Sequence, residues 1–157
     1  MFLFKRNVSD ILQLMKKATS AGGIIVKKEG DKYYLLLLYY SEYKDLGFLK
    51  GHVKEGETIE EDAIREMNEE TGLQNISIIN KIGSLIRESV EDNGETVLKT
   101  IHMYLMESQD FNHGDKAEEK YGWYEYDEAI ERMAFKEEAE FLRKHKEAMT
   151  KQADNMN

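Results

Sequence analysis

Gly51-His52-Val53-Lys54-Glu55-Gly56-Glu57-Thr58-Ile59-Glu60-Glu61-Asp62-Ala63-Ile64-Arg65-Glu66-Met67-Asn68-Glu69-Glu70-Thr71-Gly72-Leu73 carries more structural information than any other part of the chain. It reads as a glycine-bounded loop, a helix of about three turns, and a glycine stop. Thr58 can cap the helix, with Glu61 three residues on to complete a capping box. Gly72 stands where a left-handed C-terminal residue is wanted. Ile59, Ala63 and Met67 recur at helical spacing and form an apolar stripe that should face a core. Glu66, Glu69 and Glu70 fall at i, i+3 and i+4, so their carboxylates share another face.

Like charges at that spacing weaken a helix by roughly 0.2–0.5 kcal/mol per pair. A solvated acidic face is one reading of the cluster. A hard divalent cation, which takes oxygen ligands and offsets the repulsion, is the other. The flanking residues favour the cation. The stretch reads G-x5-E-x7-R-E-U-x-E-E-x-G-U, with the apolar U positions filled by Met67 and Leu73. It resembles the Nudix box at every defining position.

That resemblance implies an α/β class and the Nudix fold, an α/β/α sandwich around a mixed β-sheet. It implies water attack on phosphorus within a diphosphate linkage, with Mg2+ or Mn2+ as the ion. Carried over from the family, Glu66, Glu69 and Glu70 are the metal ligands, and the Gly51 carbonyl adds a further oxygen. Glu66 or Glu70 would orient or deprotonate the water. Arg65, supported by Glu57, would fix the orientation of the motif's glutamates. A surface pairing with Glu61 is the plainer reading of Arg65. A later-loop acid completes many such sites, and Glu118 and Glu119 are the residues placed to supply it.

A narrower resemblance concerns Phe48-Leu49-Lys50-Gly51-His52-Val53, which is similar to the turn of the branch that cleaves dinucleoside tetraphosphates asymmetrically. Leu49 and Glu55 stand where that branch has prolines. Ser20-Ala21-Gly22-Gly23-Ile24-Ile25 and Lys99-Thr100-Ile101-His102 resemble its first and late strands. Lys50 would then bind a substrate phosphate as a point charge. Tyr39, Tyr40, Tyr43, Tyr121 and Tyr124 offer faces for adenine, although strand aromatics usually belong to a core. Trp123 reads as core and His52 as a structural residue. The expected activity is hydrolysis of dinucleoside polyphosphates, diadenosine tetraphosphate giving AMP and ATP. Nucleoside triphosphates, nucleotide sugars and RNA 5′ ends are the alternatives within the family. A non-catalytic nucleotide-binding sensor is the alternative outside it.

The 157 residues suit one domain, with a core over about 18–149, an N-terminal extension over 1–17 and a frayed tail over 150–157. No apolar run approaches the ~20 residues of a membrane span, and the start lacks signal-peptide features. There are no cysteines, which excludes disulfides and thiolate metal sites. A cytoplasmic protein is expected. The net charge is −9, and seven acids against one base between Glu57 and Glu70 account for −6 of it. That balance argues for a small nucleotide substrate and against extended nucleic acid, which wants a basic stripe. The oligomeric state is open.

Around the box, Ala21–Val26 and Tyr33–Tyr40 read as strands joined by the turn Glu29-Gly30-Asp31. Ile76–Ile86 and Val97–Met106 read as a long hairpin, with Asn93-Gly94 at its turn. Tyr121–Tyr126 reads as a short strand. Helices are expected over Ser9–Lys17, over Glu128–Met133 capped by Asp127, and over Lys136–Met149 with Ala139 and Leu142 on one face. Ser41–Leu46 and Ser108–Lys116 read as polar loops.

Overall fold

The structure, a computed structural model, describes residues 7–40, 45–110 and 120–155. Its elements are α1 (Val8–Leu14), β1 (Lys16–Glu29), β2 (Lys32–Tyr40), β3 (Asp45–Gly47), β4 (Leu49–His52), α2 (Ile59–Thr71), β5 (Ile76–Val90), β6 (Thr96–Ser108), β7 (Tyr121–Glu125), α3 (Tyr126–Arg132) and α4 (Lys136–Asn155). All seven strands join one mixed sheet. β1 is its organising strand. It runs parallel to β6 from Lys16↔Val97 to Ile25↔Met106, antiparallel to β4 from Ser20↔His52 to Gly23↔Leu49, and antiparallel to β2 through Val26↔Leu35. β5 pairs antiparallel with β6 and shifts register between Ile78 and Asn80 and between Lys81 and Gly83.

Strand alternation sorts the apolar residues into two layers. Ile24, Val26, Leu35, Leu37, Ile101, Met103 and Leu105 face α3 and α4, where Tyr126, Ala129, Phe141, Leu142 and Met149 meet them. Ala21, Ile25, Leu36, Leu49, Tyr104 and Met106 face the other way, onto Ala63 and Met67 of α2 and Leu73 after it. Helices therefore cover both faces of a mixed sheet, the expected α/β/α sandwich. The apolar stripe of α2 is confirmed, with Ala63 and Met67 fully buried. Burying such a methionine contributes roughly 1.5–3 kcal/mol relative to leaving it exposed. Among the described residues no helix is long and apolar enough to cross a membrane.

Several boundaries differ from the sequence reading. The first helix stops at Leu14 instead of Lys17, because Lys16 and Lys17 are taken into the β1–β6 ladder. Asp45 and Leu46, expected in a loop, belong to β3 and pair with β2; residues 41–44, Tyr43 included, lie outside the described set. Ser108 ends β6, and 111–119 are likewise outside it. Glu125, not Asp127, caps α3 by accepting a hydrogen bond from Glu128 N at 2.8 Å. Asp127 instead pairs with Lys146.

The tail does not fray at Thr150. α4 continues to Asn155, because Ala153 is buried in the core and Asp154 accepts bonds from Tyr33 (2.7 Å) and Lys28 (3.0 Å) across the sheet.

Candidate active site

α2 is locally determined. Thr58 accepts a hydrogen bond from Glu61 N (3.1 Å) while Glu61 accepts one from Thr58 N (3.4 Å), which completes the capping box. Gly72 closes the helix at φ 71°. Glu61 is thus committed to the cap and leaves Arg65 to other partners. Arg65 Nε donates to Glu57 at 3.2 Å, Nη1 to Glu69 at 3.0 Å, and Nη2 lies 3.1 Å from Glu66. Nη2 also bonds Asp62. One guanidinium therefore gathers four carboxylates, and those hydrogen bonds hold its pKa above the ordinary arginine value. Arg65 and Glu57, expected as a pair, are in contact.

Glu66 is almost fully buried, and its carboxylate lies directly over Gly51 of β4. A Cβ at position 51 would overlap the Glu66 carboxyl carbon and both of its oxygens. Only glycine leaves room for a carboxylate against that backbone. Burial pushes the Glu66 carboxyl above its ordinary value, opposed by Arg65. Such a group gains from a nearby cation that stabilises its charged form.

Glu69 is bound to Arg65, and Glu70 is exposed. Among the described residues no three acidic, His or Cys side chains converge as a ready-made cation site. Glu66 and Glu69 are both engaged by Arg65. The donor set still suits a hard divalent cation: carboxylate oxygens on one helix face, with one of them seated in a glycine cradle. Glu118 and Glu119 lie outside the described residues.

Asp62 was not anticipated. It is fully buried, accepts from Lys54 N at 3.3 Å, and fixes the loop before α2 onto Arg65. Its Oδ2 has no hydrogen-bond partner among the described residues.

Beside β4 opens a cleft of about 590 Å³, lined by Leu38, Tyr39, Tyr40, Lys50, Arg87, Glu88, Ser89, Val90, Lys99, Lys120 and Phe135. Among the described residues four bases and one acid line it, on a chain with a net charge of −9. Lys50, expected to bind phosphate, is brought into this cleft. Burial pushes its ammonium down to about 8, and Glu138 and Glu66 both oppose that fall. Tyr39 and Tyr40 also line the cleft, as an aromatic contact for a base requires. Tyr121 does not. It is buried and donates to Thr71 O at 2.8 Å. Tyr124 lies against Arg132, and Trp123 packs on the α2-side core beneath Lys27. His52 ends β4 with Nε2 at 3.5 Å from Glu91.

Arg87, Lys120, Phe135 and Glu138 escaped the sequence reading, and Lys99 entered it only within a resemblance. A signal existed for two of them. Leu85 and Arg87 are buried two apart on β5, as are Val97, Lys99 and Ile101 on β6. Each strand therefore carries a cation in its inward-facing series.

A NUDIX domain model matches residues 16–145. MutT4 of Mycobacterium tuberculosis is 37% identical over 94 residues, 57% of this chain and 36% of that protein. An oxidized purine nucleoside triphosphate hydrolase of Danio rerio is 34% identical over 77 residues, 49% of this chain and 47% of that protein. The matches thus span less than half the length of either relative. Among solved structures, a C. elegans Ap4A hydrolase in a binary complex is 25% identical, covering 85% of this chain and 98% of that one at TM-score 0.63.

Proposed function

The chain belongs to the NUDIX family, and we propose on that premise that it is a metal-dependent pyrophosphohydrolase acting on dinucleoside polyphosphates. The observation that carries this reading is the buried Glu66 carboxylate seated on Gly51, next to a cleft lined by four bases and two tyrosines. An acidic helix face and a basic cleft side by side suit a substrate that brings both phosphates and a chelated cation.

Glu66, Glu69, Glu70 and the Gly51 carbonyl would hold Mg2+ or Mn2+. The ion, when bound, supplies charge neutralisation for the phosphates and lowers the pKa of water. The chain's own residues do the rest. Glu66 or Glu70 accepts the proton of the attacking water as its oxygen bonds to phosphorus. The bridging P–O bond breaks, and its electrons leave on the departing phosphate. Arg65 keeps Glu66 and Glu69 in register. Lys50 offsets charge on the phosphates, and Tyr39 and Tyr40 offer faces to a base. Phosphoryl transfer of this kind depends on positioning and electrostatics more than on covalent work by the protein.

Cation binding to the folded state alone should raise the melting temperature by mass action. Millimolar Mg2+ is expected to do so for the wild-type chain, and Glu70→Gln to remove most of the gain. Melting curves that ignore both changes would count against the metal assignment.

The substrate reading has its own test. The site is fixed relative to one anchored end of the substrate, so water strikes away from the midpoint. Diadenosine tetraphosphate should give AMP and ATP in equal amounts, read by chromatography of early products. Two ADP molecules would exclude asymmetric cleavage. No turnover, beside rapid hydrolysis of a nucleoside triphosphate or nucleotide sugar, would assign another substrate class.

A further inference from the structure

The large apolar side chains left exposed among the described residues are Val8 (73%), Ile11 (49%), Leu14 (64%), Ile86 (57%) and Val90 (72%). They are not scattered. Three lie on α1 and two on β5, and none joins either core layer. The sheet register brings the two elements to one end of the molecule. Lys16, two residues after α1, pairs with Val97, and Val97 pairs with Ser89 beside Val90. Lys16 Nζ also lies 3.4 Å from Glu95 in the turn between β5 and β6. Single exposed apolar residues are ordinary, but a gathered set marks an interaction surface.

α1 needs a partner for a second reason. It has seven residues, and helices below ~12–15 residues are marginal in water without tertiary support. Every one of its described side chains is exposed. Val8, Ile11 and Leu14 recur every third residue and share one side, with Ser9, Asp10 and Gln13 on the other. An amphipathic helix ordinarily turns its apolar stripe towards a core. This one turns it to solvent. β5 is open in the same way. It is the edge strand of the sheet and, among the described residues, pairs only with β6. From Gly83 to Val90 its register with β6 is regular. Ile86 and Val90 therefore share one face, opposite the buried Leu85 and Arg87.

The charges around the two patches have opposite signs. Lys16 and Lys17, both exposed, follow α1, whereas the exposed Glu88, Asp92 and Glu95 flank Ile86 and Val90. Among the described residues, Lys16–Glu95 is the one ion pair joining the two sets within a chain. An anionic lipid surface would attract the lysines and be repelled by the three acids. A second copy related by a two-fold axis presents acids to lysines and lysines to acids, twice over.

We infer that this end of the molecule is a homodimer interface, in which α1 of each copy packs on the Ile86–Val90 face of the other. The reciprocal arrangement covers all five exposed apolar side chains, seats the unpacked helix and shields the open strand edge.

Sedimentation velocity of the full chain over a dilution series reads the association by mass, without turnover, so its result stands apart from the hydrolase reading. The wild type should pass from monomer to dimer as concentration rises. Ile11→Gln/Leu14→Gln keeps good helix formers on α1, and Ile86→Thr/Val90→Thr keeps β-branched residues on β5. Each double variant removes two apolar contacts and should weaken dimerisation at least about 10-fold. Melting curves of dilute, monomeric protein should not change, because these side chains are exposed in a single copy. Mixing the two variants shows which patch meets which. The mixed dimer has one contact between two altered patches and one between two native patches, so it should be tighter than the dimer of either variant.

A wild type that stays monomeric, a dimer indifferent to both double variants, or a mixture no tighter than its parts would each overturn the inference. So would a monomeric wild type whose binding to phosphatidylserine vesicles is lost in Ile11→Gln/Leu14→Gln, because the surface would then belong to a lipid.

Discussion

On the proposed hydrolase reading, Glu66→Gln is expected to lower kcat on the hydrolysed nucleotide by at least about 100-fold, the effect of removing a general base, and to leave the protein folded. The fold tolerates the change because burial already favours the uncharged form of this carboxyl, and a glutamine has nearly the shape of a protonated glutamate. Arg65 loses one of its charge partners but keeps Glu57, Asp62 and Glu69. Glu70→Gln should fall comparably. Glu60→Gln is the control on the same helix. Tyr104 OH donates to Glu60 at 3.1 Å, and an amide oxygen accepts that bond equally well, so its rate should stay near the wild type. Steady-state kinetics beside melting curves decide the matter. An equal loss in all three variants would mean that the helix face has been assigned wrongly.

The part of this site that the sequence discloses is the part made by neighbours along the chain. The capping box of Thr58 and Glu61 and the Gly72 stop both join residues within one or two helical turns. Their spacing is therefore their geometry. Glu138 is the opposite case. An acid in the first turn of an amphipathic helix reads as a helix-dipole partner, and Glu137 beside it is only half-buried. What buries Glu138 is Arg87, which arrives from a strand 51 residues earlier. The extension of α4 past Thr150 escaped for the same reason. Lys28 and Tyr33, which hold Asp154, lie more than a hundred residues upstream.

Net charge is silent about the cleft for a more general reason. A value of −9 describes the sum, and most of that sum sits on α2. The strands that wall the cleft collect bases whose positions in the sequence are far apart. Charge could have located the cleft only by asking which cations interrupt the inward-facing series of β5 and β6.

Two glycine substitutions separate the support of the site from its chemistry, and Gly22→Ala has the larger effect on the fold. Gly22 pairs with Lys50 where β1 and β4 cross. A Cβ there would overlap the Leu49 carbonyl oxygen and stand 2.7 Å from Lys50 Cβ. The obstacle is backbone, so no side-chain rotation relieves it. β4 must move away from β1, carrying Leu49 out of the α2-side core and Lys50 and Gly51 out of position. Overpacking of this kind costs about 1–3 kcal/mol and sometimes more. For a chain of this size each kcal/mol lowers the melting temperature by roughly 2–4 °C. A fall of roughly 2–12 °C is expected, with activity lost as well.

Gly51→Ala meets a different neighbour, the movable end of the Glu66 side chain. That carboxylate can swing aside, so the melting temperature should drop much less. The rate should fall nearly as far as in Glu66→Gln, because the displaced carboxylate no longer lies over β4. Melting curves and kcat measured on the same preparations tell the two apart. A Gly51→Ala protein with wild-type turnover would show that the seat of Glu66 on Gly51 has no part in the reaction.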